Sequence, residues 1–164
     1  MRAFILAGLL YSTASLCEST VAPLFVIQRS LNRNEVVYDL RLKDSKIDLE
    51  LPLDDYWRMW AKTGQREELT GFERTRAYGY EIRSAGPETL TFVLVSLRSH
   101  PIEVKRKVTG EFVAVFPILK RLAQLTTVFI QLKSGGILPR IDWIEVRGRD
   151  LETQEFIYER LIPR

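Results

Sequence analysis

A chain of 164 residues suffices for one domain and is too short for two ordinary ones. Its 46% hydrophobic and 27% charged residues are globular values that exclude intrinsic disorder. Twenty-four basic against 21 acidic side chains leave a formal charge of +3 with the signs interspersed, which excludes a polyanion-binding stripe.

The first residues read as a secretory signal. Arg2 supplies the positive start, and residues 3–11 form an apolar stretch too short to span a bilayer. Small residues follow at 12–15, with further ones at Ser19 and Ala22, so cleavage is expected between 14 and 22, leaving one β-rich domain over 23–164. Cys17 is the sole cysteine. A lipid anchor there is the less favoured reading, because Leu16 stands where a lipoprotein signal wants a small residue. The folded domain then holds no cysteine pair, and ~140 residues bury enough core to dispense with disulfides.

Period-2 alternation dominates the rest. Residues 24–30 form an apolar strand, Leu31 to Asn34 a turn, and residues 35–43 a strand with Val36, Tyr38, Leu40 and Leu42 on one face. The two read as a hairpin. An aromatic-rich strand is expected over 54–62, placing Tyr56 and Trp60 on one face and Trp57 and Met59 on the other. Residues 65–78 lack alternation and read as one short helix. Glu67 and Glu68 stand in its first turn, Arg74 and Arg76 in its last, and Gly79 stops it. Gly71 in its middle weakens it by ~1 kcal/mol relative to Ala. Strands follow over 90–97, 102–108, 111–119, 125–133, 141–149 and 155–162, separated by Gly86-Pro87, Ser99-His100-Pro101, Thr109-Gly110 and Gly135-Gly136. About nine strands at this spacing predict an all-β antiparallel barrel or sandwich with one inserted short helix. A membrane barrel is rejected: Glu103, Lys105 and Lys107 charge the face that lipid would cover, and Pro163 suits no closing strand.

Catalytic chemistry is thinly represented. His100 is the only histidine and precedes Pro101 in a turn. With no second histidine or mature cysteine, structural zinc and cysteine nucleophiles are excluded, and no nucleophile elbow, phosphate loop, dinucleotide fingerprint or calcium loop occurs. No cofactor is expected. Two carboxylates from Asp54, Glu67, Glu68 and Glu73 remain available to a hydrolase. Asp54 and Asp55 point to opposite faces of an extended strand, so they cannot line one pocket together. Nucleic acid is an unsuitable partner, because Lys105-Arg106-Lys107 is short and flanked by acids.

Polar and aromatic residues give the denser signal: Arg29, Asn32, Tyr56, Trp57, Trp60, Glu73, Arg74, Tyr78 and Tyr80. They read either as a core aromatic layer with an Arg–Glu pair pinning helix to sheet, or as an aromatic-floored ligand pocket in which Arg29 or Arg74 recognises an anionic group.

The same residues resemble a family of bacterial domains of unknown function. Leu24-Phe25-Val26-Ile27, Arg29 to Asn34 and Val36-Val37-Tyr38-Asp39 carry the likeness, as do Tyr56-Trp57 and Gly64 with Glu68-Leu69-Thr70. It continues through Glu73-Arg74 and Ala77-Tyr78-Gly79-Tyr80. Residues 44–52 depart from it in having fewer turn residues. The resemblance implies small, exported, single-domain proteins and supplies no catalytic residue. The expected function is therefore a non-enzymatic periplasmic or extracellular module that binds a small molecule or an envelope protein, with a carboxylate-based periplasmic hydrolase as the alternative.

Overall fold

The computed structural model describes residues 19–133 and 140–162. In chain order the strands are β1 (Ser19–Arg29), β2 (Asn32–Lys43), β3 (Lys46–Ile47), β4 (Leu53–Met59) and β5 (Gln65–Glu68), then β6 (Tyr80–Ala85), β7 (Thr89–Leu94), β8 (Ile102–Arg106), β9 (Phe112–Ile118), β10 (Arg121–Lys133), β11 (Arg140–Asp150) and β12 (Phe156–Leu161). The only helical segments among the described residues are a 3₁₀ turn at Trp60–Lys62 and a short helix. That helix has an α turn, α1 (Gly71–Glu73), running into a π turn over Arg74–Tyr78.

One sheet holds these strands. Its path runs β5-β4-β2-β1-β10-β9-β8-β7-β6, with β11 and β12 continuing from the other edge of β10 and β3 pairing the end of β2. All pairings are antiparallel except β1 with β10, which sets Val26 opposite Thr127. β10 can serve three neighbours because it is long: its first residues pair with β9, its later ones with β1, and β11 follows it throughout.

Alternation explains the two sides. Val36, Tyr38 and Leu40 of β2 enter the core, as do Phe25 and Ile27 of β1 and Leu53 and Trp57 of β4. The sheet curls into a half-barrel around them. Phe25 stacks on Tyr38 at 4.6 Å and on Phe92 at 6.4 Å, which brings β7 over the β1–β2 hairpin. Tyr80 meets Phe92 edge-on, and its hydroxyl donates to the Leu53 carbonyl at 3.2 Å, tying β6 to β4. Tyr38 and Phe92 are wholly buried, and truncating either ring to Ala removes roughly 3–5 kcal/mol. Among the described residues no helix is long and apolar enough to cross a membrane.

The all-β class with a short helix agrees with the sequence. Local boundaries differ in several places. The first turn is confined to Ser30 and Leu31, so Asn32 to Asn34 open β2 instead of forming a turn; β7 stops at Leu94, and β10 starts at Arg121. Three further differences lie around the site. Residues 65–68 are strand β5, so Glu67 and Glu68 belong to no helix. The helix begins at Gly71, because Thr70 caps it: the Thr70 hydroxyl accepts from Glu73 N, and the Glu73 carboxylate accepts from Thr70 N. The strand expected over 54–62 stops at Met59, where the 3₁₀ turn takes Trp60 out of the pleat. Residues 1–18 of the expected leader, Cys17 among them, and the Gly135-Gly136 turn lie outside the described residues; residues 19–22 of that leader belong to β1.

Candidate functional site

The residues singled out in the sequence fall into three neighbouring groups. The first lies on the concave side. Trp57, inward on β4, donates its indole N–H to Glu73 Oε1 at 3.1 Å and meets Tyr78 edge-on at 5.3 Å. Arg29, at the end of β1, stacks its guanidinium 4.6 Å from the Trp57 ring centroid and donates to the Tyr78 hydroxyl at 3.3 Å. Burial pushes the Glu73 carboxyl up, but hydrogen bonds from Thr70 and Trp57 and the charge of Arg29 outweigh it and hold the group below the usual range.

The second group sits beneath the π turn. Arg74 reaches Asp55 at 3.4 Å, the Asp55 backbone carbonyl at 3.2 Å and Glu68 at 3.0 Å. Asp55 is buried, and desolvation raises its carboxyl despite Arg74. The Tyr38 hydroxyl donates to the Tyr78 carbonyl, and burial drives that phenol well above its ordinary value. Asp55, Arg74, Thr75, Gly79 and Tyr80 line a recess of about 350 Å³. Gly79 is required here: a Cβ would lie 1.9 Å from the Arg74 carbonyl oxygen.

The third group is convex. Tyr56 points away from Trp57, donating to Asp39 at 3.0 Å with the Arg66 guanidinium 4.1 Å from its ring centroid. Burial raises the Asp39 carboxyl, against the Tyr56 hydrogen bond and with the charge of Asp54 beside it. Asp54 is held low by hydrogen bonds from Arg66, assisted by Arg41. Trp60 donates to Glu35 at 2.9 Å, and Glu35 also receives Gln28 and Arg58. Asn32 and Trp60 join Gln28, Arg29, Arg33, Glu35 and Phe129 around an open recess of about 500 Å³. Trp60 is 49% exposed there. Neither Arg29 nor Arg33 forms an ion pair among the described residues, and Arg29 Nε is buried without an acceptor.

A single pocket holding all nine residues does not form. Arg29, Asn32 and Trp60 share the larger recess, Arg74 and Tyr80 share the smaller, Trp57, Glu73 and Tyr78 knit the helix to the sheet, and Tyr56 faces outward. Asp55 is legible in the sequence as the i−2 face-mate of Trp57, and only pairing it with its neighbour Asp54 hides it. Phe129 has no local signal, because it reaches the recess through the long-range parallel pairing of β10 with β1.

The four carboxylates available to a hydrolase are each engaged. Glu67 pairs with Lys62 at 2.6 Å, Asp54 and Glu68 share Arg66, and Glu73 caps α1. Asp54 and Glu68 thus come close with a guanidinium between them. Among the described residues no group of three metal-ligating side chains forms.

A curled sheet with a capped helix laid over one end by Trp57, Arg29 and Asp55 defines a small all-β domain. The chain belongs to the family Domain of unknown function (DUF4833), which matches residues 25–160. No curated protein and no solved structure matches it.

Proposed function

We propose that this protein is an exported, non-enzymatic envelope module that binds a small anionic molecule with a flat apolar part. The observation that carries this reading is the recess between the β1–β2 turn and Trp60. It sets Arg33, which forms no ion pair among the described residues, beside two aromatic walls, Trp60 and Phe129, while Arg29, whose guanidinium is engaged by Trp57 and Tyr78, completes the lining. A guanidinium suits a carboxylate or phosphate through parallel hydrogen bonds, and an exposed indole suits a planar ring. Asn32 Oδ1 is occupied by Asn34 N at 3.1 Å, which leaves its amide N–H groups to orient the ligand. Glu35, the one acid of the lining, is neutralised by Arg58 at 3.4 Å and does not repel an anion. The apolar leader at residues 3–11 supports export. The hydrolase reading draws less support, because each carboxylate proposed for it already holds a cation or a capping role.

Native mass spectrometry of the protein purified from its host's envelope fraction tests this reading. The expected result is a co-purifying small anion that Arg33→Glu and Trp60→Ala each weaken at least tenfold, while the distant Arg83→Glu leaves it bound. Retention of that anion by both recess variants, or no bound molecule at all, overturns the assignment.

A further inference from the structure

We propose that two copies of this chain join edge to edge through β12, continuing one sheet into the next. This stands apart from the ligand recess. Open sheets invite pairing at their edges, and proteins defend those edges with short strands, bulges and charge. Two free edges here are defended. β5 is four residues long with Gln65, Arg66 and Glu68 exposed, and β6 carries a register break between Ile82 and Ser84 beside the charged Glu81 and Arg83. β12 carries charge at Glu159 and Arg160 but no bulge. It pairs with β11 in unbroken register from Ile144↔Leu161 to Arg149↔Phe156, and among the described residues no strand pairs its other edge. Its convex side shows Phe156 and Tyr158 at 57% and 58% exposure, while Ile157 is buried beneath.

The occupant follows from the strand's own sequence. A second copy related by a two-fold axis normal to the sheet pairs β12 with itself, keeping convex residues opposite convex ones. An axis at Glu159 opposes the two Glu159 side chains, one at Arg160 opposes the two Arg160 side chains, and one at Ile157 opposes Glu155 to Glu159. Like charges directly across a ladder are unfavourable. An axis at Tyr158 avoids all three. It sets Tyr158 against its copy and each Phe156 ring against the other copy's Arg160, a cation–π pairing made twice. Arg160 already stacks over the Trp143 ring at 3.9 Å and shares the Glu145 carboxylate with Arg147, so the copy's Phe156 meets the outer side of its guanidinium. An interface of one six-residue strand from each copy is small, so the association is expected at micromolar concentration.

The test is sedimentation equilibrium of the full chain with cross-linking by a single introduced cysteine. In a Cys17→Ser background, Tyr158→Cys is expected to oxidise to a disulfide-linked dimer, while Arg83→Cys and Glu67→Cys at the other edges stay monomeric. The unmodified chain should show a concentration-dependent monomer–dimer equilibrium that Phe156→Ala weakens several-fold and Tyr158→Lys at least tenfold, both with unchanged circular dichroism. A chain monomeric up to millimolar concentration overturns the proposal. So does cross-linking at residue 83 or 67 as efficient as at 158, or assembly that grows beyond two copies, which would mean a different contact.

Discussion

The Arg29 guanidinium lies 4.6 Å from the Trp57 ring centroid, and Tyr78 touches both residues. Trp57 therefore works in two directions, as a platform for a cation and as the donor that fixes Glu73. Trp57→Phe keeps a ring for Tyr78 to meet but deletes the N–H and part of the platform. The expected cost is about 1–3 kcal/mol, read as a lower urea midpoint at unchanged slope. A change below about half a kcal/mol would show that the network adds nothing to stability.

The two glycines at either end of the helical segment should respond in opposite ways. At Gly79 a methyl group would strike the Arg74 carbonyl oxygen at 1.9 Å, and the atoms it meets are backbone, with no flexible side-chain end to yield. At Gly71, the first residue of α1, nothing lies within 4 Å of where a Cβ would stand. Gly79→Ala should cost about 4 kcal/mol or more, in the range reserved for structural clashes. Gly71→Ala should be neutral or gain about 0.5–1 kcal/mol from helix propensity and a stiffer unfolded chain. Thermal melts of the pair decide it, and equal effects would contradict the close approach at Gly79.

Strand β1 bears on where a leader would be removed. Ser19, Thr20, Val21 and Ala22 pair with Lys43, Leu42, Arg41 and Leu40. Cleavage after Ala22 would strip four ladder positions from the β1–β2 hairpin. Export with cleavage between Ala14 and Ser19 is the expected outcome, measured by intact mass of the secreted or periplasmic protein. A mature chain beginning at Pro23, or one that keeps residues 1–14, would contradict this.

Residue spacing makes much of this fold legible. β8 alternates cleanly, with Ile102 and Val104 buried and Glu103 and Lys105 exposed. In β2 the inward Val36, Tyr38 and Leu40 are matched by a covered outer face at Val37 and Asp39, so only the polar residues Glu35, Asp39 and Arg41 mark its period. β5 reads as helix in the sequence because Gln65 to Glu68 has no apolar face: it is an edge strand whose side chains meet Arg and Glu, so the period carries no hydrophobic signal. The capping box at Thr70 and Glu73 is present in the sequence and marks the helix start better than the charge order does. The split of the candidate residues among three groups depends on the curl of the sheet and on β10 lying beside β1. Both are long-range features that no local pattern encodes.

Asp54 and Asp55 are chain neighbours whose stabilities should depend on pH in opposite senses. Asp54 is convex, with Arg66 at 2.7 Å and Arg41 at 3.0 Å, and those hydrogen bonds hold it below its unfolded value. A lowered carboxyl contributes stability above the unfolded pKa, near ~4, and loses it as pH falls through the lower folded value. Asp55 is concave and buried, with only the longer Arg74 contact, and desolvation holds it above its unfolded value. Its folded form therefore favours the proton, so its contribution is full below pH ~4 and is lost as pH rises through the folded value. Asp54→Asn should accordingly destabilise most at about pH 7, with the deficit shrinking towards about pH 3. Asp55→Asn should compare best with the parent at about pH 7 and lose ground as the pH is lowered. Urea denaturation of the three chains across that range measures both trends, and parallel pH profiles for the two variants would refute the assignment of these carboxylates to opposite faces with opposite surroundings.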